Sequence, residues 1–311
     1  MPFVPCEDLG SGFQLFNAAE NDYYVASDEE IGRVIASMIV QFAMNDRPID
    51  WDMGPDLPPC EQPQPTPWRV VRQVGPFVPV NVASWRQREP FNTFTPIKGP
   101  FWDRRQSPVG CVPLALAQIM ATNEFPRNRS WNGRSDSWHH IRQFSRSGSA
   151  TSHTGLTIAS MLRVIGIEVG AIYARKWTFA LPVCAQLFLM RMGYQRVHSH
   201  TGWNNHNENN IIRMLDNNKP VFVAALSRII NGHAWVIDGY MIREPPGLRQ
   251  TLFHCVWGWG GESNGWFISG LFTARFGAHI PNHTHGRPPN SGAGSWTNHN
   301  WIFRIITYDL P

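Results

Sequence analysis

The stretch VGCVPLALAQIMATNEFP, residues 109–126, passes within two residues from a glycine-containing loop into a run that reads as a buried helix. Leu114, Leu116, Ala117, Ile119 and Met120 are apolar on more than one face, so this helix belongs inside the molecule. Pro113 is tolerated only in a first helical turn, where its missing N–H costs nothing, and this sets the helix start close to Cys111. Cys111 then stands at a helix N-terminus, where the dipole and the unpaired N–H groups stabilise a thiolate. A small buried core residue is the structural reading of the same position.

Working outward, Thr157 to Ile165, Leu181 to Met192 (ending at Gly193) and Glu208 to Leu215 read as further helices. From Val221 the pattern changes to short β-branched and aromatic runs: Val221–Ala225, His233–Tyr240, Thr251–Trp257, Gly265–Ile268 and Trp301–Tyr308. Turn residues separate them, which predicts an antiparallel sheet and, for the chain as a whole, an α+β layout with helices first and sheet second. Residues 277–300 form a long polar, Gly-rich loop of the kind that is more often functional than decorative.

The first 62 residues stand apart. They hold 12 acids and two bases, a net −10, whereas residues 63–311 carry +14 within the overall +4. Fields of opposite sign favour docking of head on body, and acids that merely keep a loose terminus soluble are the other reading of the same charge. In the head, Ser27 followed by Asp28, Glu29 and Glu30 caps a predicted amphipathic helix over 28–45. The Pro-rich stretch 55–67 after it cannot be helix or central strand and is the best domain boundary, dividing 1–68 from 69–311.

Composition excludes several classes. With 311 residues, 42% hydrophobic, the chain buries a substantial core and is not disordered. Cys6, Cys60, Cys111, Cys184 and Cys255 are odd in number and far apart, so this is no disulfide-stapled scaffold. The bases are scattered, without the run expected of a nucleic-acid tail. The longest apolar candidate is the ten residues from Ile35 to Met44, too short for a bilayer span, and no secretory signal pattern opens the chain. Twelve histidines are present, but none has a zinc-site spacing such as H-E-x-x-H, so neither a metal nor another cofactor is expected.

Three further residues invite chemical readings. His233 opens the run GHAWVIDGY at a strand start, with Trp235 and Ile237 expected on its face. One ring nitrogen could meet a thiol while the other is held from behind. A Cys at a helix start and a distant His at a strand start is the pattern that activates a thiol, the partners being neighbours in space only. Gln87, 24 residues before Cys111, could donate its amide to a tetrahedral oxyanion beside the Cys111 N–H, a contact worth about 3 kcal/mol. Trp257 and Trp259 lie among glycines in CVWGWGGESNGWF, residues 255–267, and either wall a site or simply pack.

Four blocks now fall into a recognisable order: SWRQREPFN (84–92), VGCVPLALAQIMATNEFP (109–126), GHAWVIDGY (232–240) and WGWGGESNGWF (257–267). With weaker similarity in MGYQRVHSH (192–200) and SGAGSW (291–296), the body resembles the streptopain family of papain-like cysteine peptidases. The resemblance implies a two-lobed papain-like fold, with a helical N-terminal lobe carrying the nucleophile on a helix N-terminus and an antiparallel-sheet C-terminal lobe. It implies Cys111 as nucleophile, His233 as general base, Gln87 in the oxyanion hole and Trp257 packing near the histidine. Ser291, Gly292, Ala293, Gly294, Ser295 and Trp296 correspond to a loop bordering the substrate cleft.

The implied activity is endoproteolysis of protein or peptide substrates by a monomer, with an apolar side chain preferred just before the residue at the cut. The head corresponds to an inhibitory prosegment, so the chain itself is a partner, and the family setting implies export to the periplasm or beyond. One departure stands out: where the family usually has Asn before W-G-W-G-G, this chain has Val256, which cannot hydrogen-bond an imidazole. Acyl transfer on the same fold, or a peptide-binding relative impaired by Val256, are the alternative readings.

Overall fold

The computed structural model describes residues 13–17, 22–26, 69–228, 231–244, 249–272, 274, 278–281 and 301–311. The predicted helix over 28–45, the Pro-rich linker and the loop at 291–296 lie outside these residues. Within the head, Phe13–Asn17 and Asp22–Ala26 form an antiparallel hairpin that the sequence reading did not anticipate.

Six helices are described: α1 (Val80–Ala83), α2 (Cys111–Asn123), α3 (Trp138–Gln143), α4 (His153–Glu168), α5 (Val183–Arg191) and α6 (Asn205–Asp216). The expectation of a buried helix after Gly110 is met by α2, whose ten residues Val112 to Ala121 are all buried. A helix enclosed on every side must be met by apolar groups all round, and α2 packs against α4, β3 and β4. It stops at Glu124, which adopts the left-handed conformation (φ 51°) and returns its N–H to the Met120 carbonyl. By contrast α6 is one-sided: Asn204 caps it through the Asn207 N–H, and Ile211, Met214 and Leu215 are buried.

The main sheet has eight strands: β1 (Arg69–Val74), β2 (Gln195–Thr201), β3 (Val221–Arg228), β4 (Asn231–Glu244), β5 (Gln250–Val256), β6 (Gly265–Ile268), β7 (Ile280–Pro281) and β8 (Trp301–Asp309). Their order is β7-β6-β5-β4-β3-β8-β2, with β1 also on β4, and every pairing is antiparallel. The long central strand β4 takes β3 over its first half and β1 over its second, with β5 on its other edge.

Mixed helix and sheet content and an antiparallel sheet are as expected, but the clean division of the chain is not. Strands β1 and β2 come from before residue 220. The reason is physical: β1 is exposed along nearly its whole length, and β2 buries only Val197. Neither shows the period-2 alternation by which a half-buried strand is read.

Candidate active site

Gly110 and the helix it precedes place the thiol. With φ 98° the glycine occupies backbone space that L side chains avoid, and a Cβ there would lie 3.0 Å from the Thr178 methyl carbon. The turn makes Cys111 the first residue of α2, and the residue is partly exposed. Main-chain amides of Cys111, Val112 and Ala234 act on the thiol, each favouring its ionised form. Ala234 follows His233 directly, so two regions 122 positions apart in sequence meet at this sulfur.

His233 sits near the start of β4, opposite Ala225, and is buried. Its Nε2 lies 2.8 Å from the Trp257 carbonyl oxygen. A carbonyl can only accept, so Nε2 carries the hydrogen and Nδ1 is the basic nitrogen of the neutral ring. The ring is walled by aromatics: Trp259 at 4.7 Å between centroids, Trp257 at 5.8 Å and Trp235 at 6.4 Å. The Trp235 plane is within 9° of parallel, in line with its expected place on the same strand face.

Burial governs the charge states. Desolvation pushes the Cys111 thiol up, and the three N–H donors offset only part of this. Desolvation also lowers the His233 imidazole to about 4, against a smaller upward pull from the Trp257 carbonyl. The two directions favour a neutral thiol and a neutral imidazole at rest. The helix N-terminus alone therefore does not make the resting thiolate that its position suggests.

The role that Val256 cannot fill is taken by the main chain one residue later. Trp257 is held in turn: its N–H, on the preceding peptide, donates to Asn264 Oδ1 at 3.0 Å, and Asn264 Nδ2 donates to the Ala83 carbonyl at 3.1 Å. Gly258, at φ 73°, lets the loop pass α2, since a Cβ there would meet the Leu114 side chain at 2.8 Å.

Gln87 lies between these two regions. Its carbonyl accepts from the Val109 N–H at 2.8 Å, two residues before the cysteine, while Arg86 pairs with Trp259 and the Trp85 carbonyl accepts from the Gly260 N–H. The segment is thereby tied to the nucleophile loop on one side and to the tryptophan loop on the other. Gln87 itself is partly exposed.

Two features escaped the sequence reading. Asn264 lies inside a quoted block, but Ser-Asn-Gly reads as a turn, and a single sequence does not separate a turn asparagine from a buried one. The other is a fully enclosed pair in which Asp238 Oδ1 meets His254 Nδ1 at 2.5 Å while Oδ2 accepts from the Val78 N–H. A bulge between Ile237 and Gly239 accommodates Asp238 in β4. Among the described residues, no group of three or more His, Cys, Asp or Glu side chains could hold a metal ion.

A thiol at a helix start and an imidazole fixed through Nε2, on a helix-packed antiparallel sheet, fit a cysteine protease fold. The chain shares that fold with the active wild-type interpain A cysteine protease of Prevotella intermedia, at a TM-score of 0.55 and 17% identity, over 76% of this chain and 95% of that one. It belongs to the Peptidase C10 family, whose model matches residues 85–267. Streptopain of Streptococcus pyogenes serotype M28 is 28% identical over 191 residues, which is 51% of this chain and 45% of that protein. The thiol protease/hemagglutinin PrtT of Porphyromonas gingivalis is 28% identical over 211 residues, 60% of this chain and 23% of that protein. The match thus spans less than half the length of these curated relatives.

Proposed function

We propose that this chain is a cysteine endopeptidase that cuts protein substrates with Cys111 as nucleophile and His233 as general base, in a groove between a helical and a sheet lobe. The observation that carries the reading is the packing of the helix that Cys111 starts on the strand that carries His233, whose Nε2–H is already committed to Trp257. As Sγ attacks the substrate carbonyl carbon, its proton passes to His233 Nδ1, so the thiolate–imidazolium pair is the attacking form. The carbonyl π electrons move onto oxygen, where the Cys111 N–H and the Gln87 amide donate. His233 then gives the proton to the leaving amine, and water hydrolyses the thioester to return the thiol.

The imidazole has an orienting acceptor despite Val256, so this departure does not favour an impaired relative. We assign the head, residues 1–68, the role of an inhibitory prosegment of a zymogen, supported by its −10 charge against the +14 body. Export, and a substrate cleft bordered by Ser291–Trp296, belong to the same proposal and rest on the family resemblance. The test is casein cleavage by chain trimmed of residues 1–68, with Cys111→Ala beside it. Cleavage by the parent and none by the folded variant is expected; equal cleavage by both excludes Cys111.

A further inference from the structure

We infer that Asn264 is the positioning residue that fixes the His233 tautomer, acting through the main chain of Trp257 in place of a side chain at 256. The inference rests on the proposed role of His233, but its geometry can be tested in the resting protein.

Asn264 is 2% exposed, and both ends of its amide are used. Oδ1 accepts from the Trp257 N–H and Nδ2 donates to the Ala83 carbonyl, so turning the amide over would set donor against donor and acceptor against acceptor. The residue whose carbonyl holds His233 Nε2 is thereby connected, through its own N–H on the preceding peptide, to the end of α1. That end is also gripped from the nucleophile side: Gln118 of α2 donates its Nε2 to the Val82 carbonyl at 3.0 Å. Two consecutive carbonyls at one helix end thus accept one amide from the Cys111 helix and one from the loop that carries the His233 acceptor, Val82 taking the Trp85 N–H as well.

The segment leaving α1 leads to Gln87. A short helix end is therefore the common reference for nucleophile, base and oxyanion donor. A buried main-chain N–H without an acceptor is costly, so loss of Oδ1 should rotate the Val256–Trp257 peptide and displace Trp257 with the carbonyl that follows. The carbonyl would then leave Nε2, and the ring would be free to carry its hydrogen on Nδ1, where it cannot accept the thiol proton.

The test is the His233 ring tautomer, read by nitrogen-15 NMR of the uniformly labelled full chain with His233→Gln for assignment. Wild type should show hydrogen on Nε2 alone. Asn264→Leu should populate the Nδ1–H form and lower kcat about 10-fold, about 1.4 kcal/mol, with KM changed less than about twofold. Asn264→Asp provides the conservative arm. Its protonated carboxyl can accept from Trp257 and donate to Ala83, whereas the carboxylate meets the Ala83 carbonyl unfavourably. Its kcat relative to wild type should therefore recover as pH falls. An Nδ1–H ring in wild type, an unchanged ring in folded Asn264→Leu, or an Asn264→Asp profile parallel to wild type would each overturn the inference. A wild type with the expected ring but no peptidase activity would count against the proposed function and leave the Asn264 assignment standing.

Discussion

Two buried histidines on adjacent strands are held in opposite ways. His254 on β5 meets a carboxylate, Asp238, at 2.5 Å, and neither side chain reaches solvent. His233 on β4 meets a neutral carbonyl at 2.8 Å, a few ångströms from an aromatic wall. A buried carboxylate binds its ring strongly and makes either partner expensive to remove. A carbonyl fixes orientation while leaving a buried imidazole neutral and able to take a proton. A histidine–aspartate contact is therefore not what marks the proposed catalytic histidine. Here Asp238, five residues after His233, is engaged by His254.

Substitutions at the two places should separate these roles. His233→Ala should cut kcat/KM on a peptide substrate by about 10⁴-fold or more with little change in the unfolding midpoint. Asp238→Ala should instead cost about 3–5 kcal/mol of stability, read by urea unfolding, while the folded fraction keeps its kcat. Similar behaviour of the two variants would abolish the contrast.

Gln87→Ala sharpens the comparison from the side of the oxyanion. Loss of one preorganised donor should lower kcat by about 10²–10³-fold with KM nearly unchanged. A KM effect alone would make Gln87 a substrate contact.

Acid should act through His233. Unfolded, the ring takes a proton near 6.5; folded, it does so only at about 4. Between those values the unfolded chain holds the additional proton, so stability falls as pH drops from about 6.5 to about 4, by up to about 3 kcal/mol from this ring. In urea titrations His233→Gln should lose less over that interval than wild type does. Parallel curves would show that the ring is not depressed.

The parts of this molecule legible from sequence are those with a strong periodic or chemical signature. A mostly apolar run after Gly-Cys gave α2, with Pro113 confined to its first turn, and β6 was read to the residue from Gly265 to Ile268. The residues proposed to act, Cys111, His233 and Gln87, are read from sequence as types in order, through the four blocks. What holds them is not. The orienting acceptor for His233 is a main-chain carbonyl, which every residue possesses and no sequence advertises. Asn264 and Asp238 owe their roles to a loop geometry and a bulge that appear only when strands are paired. Strands β1 and β2 were missed because exposed edges have no buried face to leave a pattern.

The central claim is that one thiol, Cys111, is made reactive by His233 while the other two described thiols are not. Labelling with a thiol-directed epoxide at neutral pH, followed by peptide mapping, tests it directly in the full chain and after removal of residues 1–68. The account predicts a single adduct on Cys111 of the trimmed chain, lost in His233→Ala, with Cys184 and Cys255 unmodified. An adduct on Cys184, or undiminished labelling of Cys111 without the histidine, would contradict it.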